Sequence, residues 1–111
     1  MLFTATAQVA VPLMADSLVG GWRMPGSLVY GLHITYRERG VYMEPVKSYA
    51  PSIPRVYYFP ADARGVLADE GKEIYRPGGR AGIRLLQADT LEVDFCLPPD
   101  PPCKERYVRI R

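Results

Sequence analysis

Turn signals built from Gly and Pro recur along this chain at intervals of about ten residues, and that spacing limits what it can fold into. Eleven prolines and ten glycines are spread through 111 residues. Pro removes a helix donor, and Gly costs about 1 kcal/mol against Ala inside a helix, so long helices are disfavoured. The stretches between the signals carry most of the eight tyrosines and the β-branched residues, which suit a pleated, half-buried surface. The clearest is "LVYGLHITYR", residues 28–37. There Leu28, Tyr30, Leu32, Ile34 and Tyr36 share one face and His33, Thr35 and Arg37 the other, the period-two signature of a half-buried strand.

The same reading gives about eight short strands. "SLVGGWRM" puts Leu18 and Trp22 on one face, and "ERG" at 38–40 turns the chain into "VYMEPVK", a strand expected to bulge or end at Pro45. "SYAPSIP", residues 48–54, reads as a loop, "RVYYF" as an aromatic strand and "PADARG" as its closing turn. Residues 66–76 read as a hairpin turning at "DEGK", followed by a turn at "PGGR". "GIRLLQADTLEVDF" reads as two strands joined at Ala88 and Asp89, with Leu91, Val93 and Phe95 inward and Glu92 and Asp94 outward. "RYVRIR" is the last strand, with Val108 and Ile110 on one face. The fold class is all-β: a small antiparallel up-and-down barrel of about eight strands, since closure removes the exposed edges of so tyrosine-rich a sheet.

A chain of this length supports a single core, assigned to residues 16–111. Residues 1–15, "MLFTATAQVAVPLMA", are apolar and uncharged, and read either as the remnant of a secretory signal or as an arm lying on the barrel. No apolar run reaches the eighteen residues of a membrane-spanning helix. The formal net charge is +2 with no basic run, so nucleic acid is not an expected partner. Cys96 and Cys103 flank the Pro-rich "LPPDPP". A hairpin there brings their ends together, and a disulfide closing so short a ring adds about 2 to 3 kcal/mol in the chain-entropy model. That bond implies an exported protein, periplasmic or extracellular.

Gly20-Gly21-Trp22 is a G-x-W in the first strong strand, and the final strand holds Arg106, Arg109 and Arg111. This pairing of ends resembles the calycin pattern of lipocalins and their small bacterial lipocalin-like relatives. "LHITYRERGVYM" and "DTLEVDF" are similar to that family's central hairpin and closing strand. The resemblance implies that Trp22 plugs one end of the barrel and that an arginine of the last strand, Arg109 before Arg111, packs across its ring as a cation–π pair. It also implies a barrel holding a small apolar ligand, or one that meets a partner protein. A second resemblance, carried by Leu18-Val19-Gly20-Gly21-Trp22, is to bacterial secreted metalloprotease inhibitors. It implies an interaction module acting through its N-terminal arm.

For the ligand, the inward set is Tyr30, Leu32, Ile34, Tyr36, Tyr58, Leu85, Val93 and Phe95, an apolar lining with a few hydroxyls; so many large aromatics in so short a chain also read, and rather more readily, as a filled interior. Catalysis is not expected. His33 is the only histidine and has no nucleophile to serve. No Cys–His cluster has zinc spacing, no acidic loop alternates as a calcium site does, and no Gly-rich loop opens a helix. Neither a metal nor a cofactor is expected. The acidic residues, Glu92 and Asp94 among them, read as solvated charge.

Overall fold

The computed structural model describes residues 12–47 and 55–110. Eight antiparallel strands close into one barrel in sequence order, each paired with the next and the last with the first. They are β1 Gly20–Arg23, β2 Tyr30–Arg37, β3 Gly40–Lys47, β4 Tyr57–Pro60, β5 Glu70–Glu73, β6 Arg80–Gln87, β7 Thr90–Asp94 and β8 Lys104–Arg109. A 3-10 turn, Ala15–Ser17, precedes β1. The architecture is the closed all-β barrel expected, and it is compatible with a calycin-like fold.

Strand alternation sends one row of each strand inward. Leu32 and Ile34 of β2, Val41 and Met43 of β3, Phe59 of β4, and Leu91 and Val93 of β7 are buried together. An eight-stranded barrel has an interior about as wide as the side chains that fill it, so these residues form a core. Burying each large side chain contributes about 1.5 to 3 kcal/mol.

One end is covered by the segment that precedes β1. The Ala15 N–H donates to the Gly65 carbonyl at 2.9 Å and the Leu67 N–H to the Leu13 carbonyl at 2.7 Å, while Ala15 and Leu18 sink into the core. Gly20, at φ +130°, takes the chain from this segment into β1 through a conformation other residues rarely adopt. Trp22 is fully buried, and its indole N–H donates to the Leu18 carbonyl at 2.9 Å. Arg109 stands opposite Trp22 in the β1–β8 ladder, with its guanidinium carbon 4.3 Å from the ring centroid. The same guanidinium donates to the carbonyls of Ser17 and Val19, so the first and last strands are clasped by one side chain.

At the other end, Cys96 and Cys103 are disulfide-bonded with Cα atoms 4.9 Å apart. Asp94 Oδ1 accepts the N–H groups of both, Cys96 at 3.0 Å and Cys103 at 2.9 Å. These two bonds, that of Cys103 first, hold the Asp94 carboxyl below its ordinary range.

Several local expectations are corrected. The third strand neither bulges nor stops at Pro45 but runs on to Lys47, with Leu32 opposite the proline. The β3–β4 ladder ends at Met43 and Tyr57, so beyond that point β3 needs no donor toward β4. "DEGK" is not a turn: Glu70–Glu73 is β5, between β4 and β6. Gly71 is there for space, since a Cβ at that position would lie 2.7 Å from the Phe59 ring. Residues 66 and 67 instead make isolated bridges to Met14 and Ala61. In the last strand the buried residue is Tyr107, so Val108 belongs to the outer row. The expected loop at 48–54, most of the N-terminal arm and Arg111 lie outside the described residues.

A candidate binding face on the outside of the barrel

The eight residues expected to line a ligand cavity divide into three groups. Leu32, Ile34 and Val93 are fully buried inside the barrel, and Leu85 and Phe95 are half-buried against that core. Phe95 meets the Tyr57 ring at 5.7 Å, and burial pushes the Tyr57 hydroxyl above its usual pKa. Tyr30 and Tyr36 share the inward face of β2 but stand at its two ends, where the barrel no longer covers them. Tyr58 is on the other face. Tyr57 and Phe59 point inward, and Tyr58 lies outside, opposite Tyr42 of β3. Three consecutive aromatic residues look alike in either register, and pairing with β3 settles which one faces out.

The outer rows of β2 to β5 converge by that same pairing. One row crosses the sheet as His33, Glu44, then Val56 and Ile74, whose backbones are joined by a 2.9 Å hydrogen bond. The next row runs Thr35, Tyr42, Tyr58 and Lys72. His33, Thr35, Arg37, Tyr42, Glu44, Val56 and Tyr75 line a groove of about 410 Å3. Tyr75, beside it, is 62% exposed, and Val46 and Ile74 are exposed as well.

The tyrosines of this face are held in place. Tyr42 and Tyr58 meet edge to face at 4.9 Å, and the Arg37 guanidinium lies 3.9 Å above the Tyr42 ring. The Tyr42 hydroxyl donates to the Glu38 carboxylate, which raises its pKa, and the Tyr58 hydroxyl donates to the Glu38 carbonyl at 2.6 Å. Both grips fall on the turn Glu38–Arg39, where two non-glycine residues have φ of 56° and 59°. A two-residue hairpin of this hand normally uses Asn and Gly. Left-handed backbone in such residues persists where surrounding contacts over-determine it, and it concentrates at functional surfaces.

Chemically, the face offers aromatic rings, a guanidinium, a carboxylate and an imidazole, with apolar surface between them. Among the described residues no group of three potential metal ligands comes together. Glu92 departs from its expectation as solvated charge. It is only 7% exposed although it points out of the barrel, because Arg84, Lys104 and Arg106 close over it. His33, Thr35 and Arg37 were already a shared face in the sequence; Tyr42, Glu44, Val56 and Tyr75 were missed, because only strand register brings them alongside. Comparison with family models, with curated proteins and with solved structures gives no match.

Proposed function

We propose that this chain is a non-enzymatic, exported, lipocalin-like barrel that binds a partner protein on the outer face of β2 to β5. One contrast carries the reading. The side chains at the middle of the barrel are packed against one another to near-complete burial, while clamped tyrosines, an arginine and apolar side chains stand around a groove of about 410 Å3 on the outside. Tyr and Arg are the residues that most often anchor protein interfaces, because they bring large contact area and few torsions to freeze. A small apolar ligand inside the barrel would have to displace Phe59, Met43 or Trp22, all fully buried. The Cys96–Cys103 bond supports export, since such bonds persist in oxidising compartments.

The test is site-specific photocrosslinking in the producing cell, with the probe at Tyr75 on this face or at Thr90 on the other side. A protein adduct at Tyr75 alone, weakened about 30-fold by Tyr58→Ala as for an interface hot spot, is the expected result. Adducts at both positions, or none at Tyr75, would count against the face. A small-molecule mass that leaves the purified protein on denaturation would return the function to the interior.

A further inference from the structure

Glu92 marks a second surface, away from the tyrosine groove. It sits in the middle of three strands, with Arg84 of β6 on one side and Arg106 of β8 on the other. Its Oε1 receives Arg84 at 3.0 Å and lies 3.9 Å from Lys104, while Oε2 lies 3.6 Å from Arg106 Nε. The stems of these cations bury the carboxylate, yet their own side chains remain half to two-thirds exposed. Three cations around one anion leave two positive charges over, as many as the formal net charge of the whole chain. Asp94, ionised and paired with Lys104 across the β7–β8 ladder, offsets one of these charges. Arg23 of β1, exposed beside Val108 outside the Arg84–Glu92–Arg106 row, adds a further cation to this side of the barrel.

We infer that the outer face of β6 to β8 is a docking surface for an acidic polypeptide segment. Glu92 draws in one guanidinium from the strand on either side, although the two backbones stand about 10 Å apart at two strand spacings. Each can accept a carboxylate through its outward nitrogens, in the forked geometry that favours Arg over Lys. A nucleic acid, with a charge every 1.7 Å of duplex, asks for denser cations than a surface interrupted by Glu92 and Asp94 supplies. An extended peptide with a few carboxylates matches the modest surplus.

The experiment is fluorescence anisotropy of a labelled Glu-rich decapeptide against the full chain at low salt, with its Gln analogue and an oligonucleotide of equal charge as comparisons. The Glu peptide is expected to bind at least ten times more tightly than either, and to weaken steeply as salt rises. Arg84→Gln with Arg106→Gln should cost tenfold or more, while Arg55→Gln with Arg64→Gln, an equal loss of charge elsewhere, should cost less than twofold. If the first pair fails to fold, Lys104→Gln provides the reading with an expected threefold loss. Equal losses in both pairs would reduce the effect to net charge and overturn the site. Tighter binding of the oligonucleotide, or equal binding of the Gln peptide, would overturn it too.

Discussion

Replacing Arg109 by Met tests whether one side chain clasps the barrel shut. Met keeps an apolar stem over the indole and removes the guanidinium. The cation–π contact at 4.3 Å, partly shielded from water, is worth about 1 kcal/mol. The two hydrogen bonds to the Ser17 and Val19 carbonyls come from a charged donor, about 1.5 kcal/mol each at the low end. Asp89 lies 3.8 Å away with half of its side chain exposed, and adds little. Water reaches the freed carbonyls in the variant, so the expected loss is about 2 to 3 kcal/mol rather than the full sum. At about 4 °C per kcal/mol for a domain of this size, Tm should fall by roughly 8 to 12 °C. Urea unfolding followed by Trp22 fluorescence reads the loss directly, because the chain has no other tryptophan. Arg109→Lys, which keeps the charge but not the fork, should fall between the two. A loss below about 0.5 kcal/mol for Arg109→Met, the size of an ordinary surface substitution, would refute the clasp.

Gly71→Ala should destabilise by roughly 1 to 3 kcal/mol, because the added methyl meets the Phe59 ring edge at 2.7 Å inside a filled core. An unchanged denaturation midpoint would show that the ring can move aside. Asp94 gives a pH dependence. Its carboxyl is held below the ordinary value by two backbone N–H groups, so its contribution is present in full above about pH 4 and is lost as pH falls through the depressed value. Asp94→Asn should therefore narrow the stability difference between pH 7 and about pH 3, measured by urea midpoints. The same difference in both proteins would remove Asp94 from the acid response.

Much of the interior was legible without coordinates, for a local reason. Alternation along a strand is enforced by the pleat, so Leu32 and Ile34 could be assigned to one face, and His33, Thr35 and Arg37 to the other, from ten residues alone. The contact between Trp22 and Arg109 was expected from the lipocalin resemblance and not from any local pattern, and the two stand opposite each other in the β1–β8 ladder. The outer face of β2 to β5 was legible only in the part carried by β2. Its remaining members depend on how far β3, β4 and β5 slide against one another, and a slip of one residue exchanges the two faces.

What the sequence by itself determined is the class: short alternating segments, punctuated by Gly and Pro, with too little helical propensity to do anything but pair as strands. The tertiary structure decided the rest. "YYF" put Tyr57 and Phe59 inside and Tyr58 outside because Tyr42 stands across from Tyr58. Gly71, a turn signal by composition, became the floor under an aromatic ring. Glu92, a solvated charge by its place in an alternating strand, became buried because the strands on both sides of it set three cations around it. Periodicity is written in neighbouring residues, whereas register, close approach and charge clustering are properties of pairs that meet only when the barrel closes.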